Sequence, residues 1–177
     1  IYIMTKNVSQ RDSTFKGGIQ KGTTAFDVAS KKLDKQLKES FDVLSKSYSQ
    51  YEVCKQFTKE MKIKYIGDDC FGFAPDGGAW FKNGKLVAVF EAKKQGKLGN
   101  ANERWYDNAD TAKYINKDVV YVTFCSGAGA APGECLDKMR RKATITKGKN
   151  FKFFMNPVGF TDNEVLSVME NVLKEIV

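Results

Sequence analysis

Asp76, Glu91 and Lys93 have the residue types and the spacing to act on a phosphate ester. Between the two acids lies Asn83-Gly84, a pair that tolerates the positive φ of a two-residue type I′ hairpin turn. Lys82 then faces Lys85, and an unbroken ladder counted outward from the turn sets Asp76 directly opposite Glu91. Such neighbours hold their Cβ atoms about 4.5–5.5 Å apart. Lys93, two residues beyond Glu91, projects from the same strand face. Two carboxylates this close repel unless a cation lies between them. Oxygen ligands with room left for water and a phosphate suit Mg²⁺, which polarises a phosphoryl oxygen and activates water. Asp76 and Glu91 are therefore the expected metal ligands, with the Ala92 carbonyl as a further one, and Lys93 would orient or help deprotonate the water. The rival reading is an ordinary Glu–Lys ion pair at a strand end. A bulge at Gly77-Gly78 would shift the pairing and turn Asp76 away.

The flanking residues add chemistry of their own. Lys94 and Lys97, with Gly96 and Gly99, form a basic flexible link. Asn100, Asn102, Glu103 and Arg104 then open a helix predicted to run through Tyr114. Asn suits adenine, Arg suits guanine and Glu accepts from an exocyclic amine. A polar helix start with Asn as its cap explains the same residues without any ligand. Arg140 and Arg141, beside Lys138 and Lys142, could meet phosphate or an outer base, or simply form a solvated face. Asp68-Asp69 is a rival acidic pair, but adjacent strand residues point to opposite faces, and turn chemistry explains it better.

Three motifs in order, PDGG at 75–78, EAKKQGK at 91–97 and GNANER at 99–104, resemble the EcoRI/MunI group of Type II restriction endonucleases, within the PD-(D/E)xK superfamily. The resemblance covers about 30 of the 177 residues. It implies a restriction-endonuclease-like fold, metal-binding acids at Asp76 and Glu91, and a catalytic lysine at Lys93. It further implies that Gly99, Asn100, Ala101, Glu103 and Arg104 contact bases of a central AATT. It carries with it Mg²⁺, double-stranded DNA with a palindromic site, a homodimer and a partner methyltransferase. Only residues 94–98 separate Lys93 from the GNANER segment, a shorter spacing than the family's. A helical acid sometimes supplements the metal site in such nucleases, and Glu52 and Glu60 are the candidates for it here.

The rest of the chain must position these groups. Residues 1–22 read as a polar N-terminal arm, in which Ile1 to Ile3 need not be native, and residues 23–177 as a single nuclease domain. Phe26, Ala29, Leu33, Leu37, Phe41 and Leu44 have helical spacing, with Lys31, Lys32, Lys35, Lys38 and Lys46 opposite. Those lysines read as a solvated face or, more sharply, as phosphate contacts. Tyr48, Tyr51, Cys54, Phe57 and Met61 suggest a second helix, and residues 62–66 and 70–73 short strands. Leu86, Ala88, Phe90 and Ala92 on one face, with Val87 and Val89 on the other, predict a central covered strand ending at Glu91 and Lys93. Residues 118–124 and 151–155 read as strands, and Thr161 with Glu164 as the capping box of a last amphipathic helix. The order predicts one α/β domain with a mixed central β-sheet flanked by helices.

Composition narrows the chemistry. The net charge of +8 favours a polyanionic partner or serves solubility alone. The absence of histidine excludes Ser-His-Asp triads and His-ligated metals. Cys54, Cys70, Cys125 and Cys135 lack C-x-x-C spacing and read as reduced thiols of a cytoplasmic protein. No apolar run spans a bilayer, so no membrane is expected. The loop at 126–133 lacks the Walker A spacing and its lysine, so no nucleotide cofactor is expected. The leading expectation is Mg²⁺-dependent, sequence-specific cleavage of double-stranded DNA. The alternatives are a structure-specific or repair nuclease and a basic DNA-binding protein without catalysis.

Overall fold

The long apolar stripe near the N-terminus folds as an α-helix, α1 (Ala25–Ser47), in a computed structural model that describes residues 25–65, 74–94, 112, 115–127, 137, 141 and 150–176. Leu33, Leu37, Phe41 and Leu44 are buried along one side of it. The elements that follow are β1 (Glu52–Cys54), α2 (Lys59–Tyr65), β2 (Ala79–Lys82), β3 (Lys85–Lys94), β4 (Val120–Ser126), β5 (Phe151–Asn156) and α3 (Asp162–Glu175). The five strands form one sheet in the order β1-β2-β3-β4-β5. The β1–β2 and β2–β3 pairs are antiparallel, whereas β3–β4 and β4–β5 are parallel, so the sheet is mixed. The α/β architecture expected from the sequence is the one present.

The sheet separates two apolar layers. Trp80, Ala88, Phe90, Ala92, Val122 and Phe124 pack with α1 and α3 on one face. Val89, Tyr121, Cys125 and Met155 pack on the other with Phe57, Ala112 and Ile115, and with Met61 and Tyr65 of α2. Strand β3 is therefore central and covered on both faces, as its run of apolar residues predicts. Gln36 of α1 is buried and donates to the Phe160 carbonyl and the Asp162 carboxylate, both at 2.7 Å, tying α1 to the start of α3. The Thr161–Glu164 capping box is formed in full. Among the described residues, Cys54 and Cys125 are not in disulfides. Among the described residues, no helix is long and apolar enough to cross a membrane.

Three local expectations are corrected. The helix expected over 48–61 is instead the edge strand β1 followed by the separate short helix α2. Residues 52–54 satisfy their backbone groups against β2, and Thr58 Oγ1 accepts from the Met61 amide to start α2. Residues 62–65 belong to that helix and form no strand. The hairpin ladder is also broken: Phe81 pairs with Leu86, but Trp80 pairs with Ala88, so Val87 is the extra residue of a bulge. The bulge reverses the faces expected near the turn. Leu86 joins the layer of Val89, while Val87 packs against the layer of α1. The strand expected at 70–73, the Asp68-Asp69 pair, Cys70, Cys135, the helix expected over 100–114 and the arm at 1–22 lie outside the described residues.

The two glycines of PDGG are explained by space. A Cβ on Gly77 would lie 2.6 Å from the Phe90 Cβ, and Gly78 has φ +76° with the Phe41 ring 2.2 Å from where its Cβ would be. The Gly77 carbonyl accepts from the buried Trp80 indole at 3.0 Å. Replacing Gly78 by Ala combines a strained backbone with an overlap against Phe41. It should cost about 2–4 kcal/mol, seen as a lowered urea midpoint. A midpoint equal to that of the unsubstituted chain would contradict the turn described.

Candidate active site at the open edge of the central strand

The bulge at Val87 does not remove Asp76 from Glu91; it changes how the two meet. Strand β2 begins only at Ala79, and Asp76 sits in the turn before it, so the acids are not cross-strand neighbours within a ladder. The Phe90 amide donates to Gly78 and the Phe90 carbonyl accepts from Gly77. Among the described residues, no strand lies beside β3 on that edge past this point. The Asp76 carboxylate takes the vacant place, accepting from the Ala92 amide at 3.3 Å. The carbonyl of a strand residue points to the same edge as its amide, so the Ala92 carbonyl also faces the Asp76 side.

Glu91 and Lys93 alternate with Ala92 and project from the opposite face to α1, beside Thr123 and Cys125 of β4. Lys93 Nζ donates to Glu91 Oε1 at 2.9 Å. Only 12% of the Glu91 side chain is exposed, and its other oxygen, Oε2, is buried with no hydrogen-bond partner among the described residues. A carboxylate in that state is expensive, since a desolvated charge needs a partner at each oxygen. Burial pushes the Glu91 carboxyl up to about 7; the Lys93 ammonium opposes that rise and the nearby Asp76 charge adds to it. Asp76 is also raised, first by burial and then by Asp34, while the Ala92 amide, Lys38 and Lys93 pull it down.

Asp34 is the acid that sequence reasoning missed. It lies on α1 and pairs with Lys94, at the end of β3. Neither Glu52 nor Glu60 reaches this site. Both line a separate groove of about 390 Å³ with Cys54, Met61 and Tyr65. The signal for Asp34 was its place one residue after the core Leu33, which turns it to the rim of the packed face.

The donors fit a hard divalent cation. Glu91, with Oε2 unpartnered among the described residues, and the Ala92 carbonyl belong to one strand end, and Asp76 belongs to the turn before β2 and accepts from the Ala92 amide. No cluster of three or more His, Cys, Asp or Glu metal ligands occurs among the described residues, so backbone and solvent oxygens would complete the shell. Lys94 is half-buried beside the site and Arg141 is exposed. Lys97, Gly99, Asn100, Ala101, Asn102, Glu103, Arg104 and Arg140 lie outside the described residues. No protein-family model, curated protein or solved structure matches the chain.

The raised Glu91 carboxyl sets a pH dependence of stability. Its folded value of about 7 exceeds its ordinary value of 4.5, so between these the folded chain holds a proton that the unfolded chain releases. Stability from this group is therefore full below about 4.5 and is lost as pH rises through 7, by on the order of 3 kcal/mol. In chelator, Glu91→Gln should melt higher than the unsubstituted chain at pH 8, with the gap closing toward pH 5. Parallel melting curves across that range would contradict the burial of this charge.

Proposed function

We propose that the chain is a Mg²⁺-dependent endonuclease that cleaves double-stranded DNA at a specific palindromic sequence, with AATT at its centre. The observation that carries this reading is the Glu91 carboxylate, buried at the end of a covered strand with Oε2 unpartnered, beside Asp76 and Lys93. A structural ion pair needs no second acid pressed against it, and this one has Asp76. The resemblance of PDGG, EAKKQGK and GNANER to the EcoRI/MunI group supports the reading further.

Asp76, Glu91 and the Ala92 carbonyl would hold Mg²⁺, which supplies a Lewis acid for the phosphoryl oxygen when bound. The chain's own residues do the rest. The Lys93 ammonium, held by Glu91, is placed to orient a water and to offset charge developing on the phosphate. Water oxygen attacks phosphorus in line, the bond to O3′ breaks, and O3′ gains a proton, giving 5′-phosphate and 3′-hydroxyl ends. Lys94 and Lys97 would follow the DNA backbone, and Arg140 and Arg141 would meet phosphate or an outer base. Residues 99–104 would read the central bases. The protein would act in the cytoplasm as a homodimer, because a palindromic site mirrors a two-fold axis, alongside a protecting methyltransferase.

Plasmid digestion in Mg²⁺ followed by sequencing of the ends tests this. One short sequence at every cut is expected. Asp76→Ala and Glu91→Ala should each lower cleavage by at least about 10³-fold while DNA binding remains measurable. Ends scattered at structural features would indicate a structure-specific nuclease. No product with any divalent cation, or undiminished cutting by Asp76→Ala, would overturn the assignment.

A further inference from the structure

Helix α1 carries Asp34, Lys38 and Asp42 at one-turn intervals, so the three share a stripe along one side. Both outer members are anchored to the sheet. Asp34 pairs with Lys94, two residues past Ala92, whose amide holds Asp76. Asp42 pairs with Lys55 at 2.7 Å, and Lys55 follows Cys54, whose partner in β2 is Ala79. The stripe thus runs from the end of β3 to the start of β2, and Asp76 lies between these two anchors. Lys38 is the middle member, about 6 Å along the helix from each neighbour.

Two other lysines on this helix differ. Lys32 is paired with Asp162 at 3.4 Å and Lys35 with Glu39 at 3.5 Å. Lys38 is exposed and forms no ion pair with any carboxylate among the described residues. Its neighbour Leu37 comes within 3.4 Å of where a Cβ on Gly77 would lie, so this turn of α1 sits beside the turn that carries Asp76. Lys38 approaches from the α1 face of the sheet, whereas Lys93 approaches from the other.

We propose that Lys38 is a phosphate-binding residue of the active site, holding the DNA backbone against Asp76 from the side opposite Lys93. The proposal rests on the nuclease reading above and adds a residue to it. The helix that carries this ammonium is pinned at both neighbouring turns, so its backbone is already in place when an anion binds and only the side chain's own rotamers are lost. Lys32 and Lys35, held in surface pairs of their own, would contribute little.

The test compares the unsubstituted chain with Lys38→Ala, Lys38→Gln, Lys38→Arg and Lys35→Ala, using one linear duplex carrying the cleavage site. Lys38→Ala and Lys38→Gln should lower kcat/KM by about tenfold or more, and Lys38→Arg should restore much of it. On a Glu91→Ala background, which binds without cutting, adding Lys38→Ala should reduce the slope of log affinity against log salt by about 1. Lys35→Ala should change neither readout. Thermal melts of the single Lys38 and Lys35 variants should coincide with that of the unsubstituted chain, since both lysines are exposed. Unchanged kcat/KM and salt slope in Lys38→Ala and Lys38→Gln, with the unsubstituted chain cutting normally, would overturn the proposal alone. No cutting by the unsubstituted chain would overturn the nuclease reading and this inference with it.

Discussion

A carboxylate without a partner for one of its oxygens, sealed at the end of a strand that is covered on both faces, is the constraint on which this structure turns. Glu91 Oε2 has no hydrogen-bond donor among the described residues, and burial pushes the carboxyl up to about 7. A group in that position lowers stability whenever it is ionised. Its neighbours then acquire a meaning. Lys93 offsets part of the cost on Oε1, and Asp76 increases it. A cation between the two acids removes the repulsion and the desolvation penalty together. This is the pattern expected of a functional site, in which local stability is given up for chemistry.

The scaffold makes such an arrangement possible through backbone geometry. Gly77 lets the turn approach Phe90, and Gly78 takes the positive φ that ends β2 at Ala79. Because β2 stops there, no described strand lies beside β3 beyond Phe90, and a side-chain carboxylate accepts from the Ala92 amide in a strand's place. Helix α1 then closes the site from one face while Glu91 and Lys93 close it from the other. The apolar contacts of Trp80 with Phe41, Tyr51 and Phe90 fix the turn against the helix. Packing therefore positions the acids with no need for a continuous ladder between them.

Much of this was legible in the residues. Asn83-Gly84 adopts the positive φ values its chemistry predicts, 52° and 71°, and the capping box at Thr161 is present as read. The apolar run of β3 correctly implied cover on both faces. Asp76 and Glu91 were brought together for a partly wrong reason. The ladder argument assumed one residue against one, and no local signal marks Val87 as extra, because its place is set by how Trp80 packs under α1. The glycines flagged as a bulge form the turn instead. Residues 52–54 carry no strand pattern of their own; they pair because β2 offers an edge. Helical spacing sets Asp34 at the rim of the packed face but not beside Asp76. Its nearness to Asp76 depends on how α1 docks on the sheet, a long-range fact that helical spacing alone does not contain.

The central claim is that Asp76 and Glu91 form one divalent-cation site. Titration of the full chain with Mn²⁺, following free ion by electron paramagnetic resonance, tests it most directly when run beside the double variant Asp76→Asn, Glu91→Gln. The account predicts saturable binding by the unsubstituted chain that is lost in the double variant while its fold is retained. Equal binding by both proteins, or none by either, would contradict it.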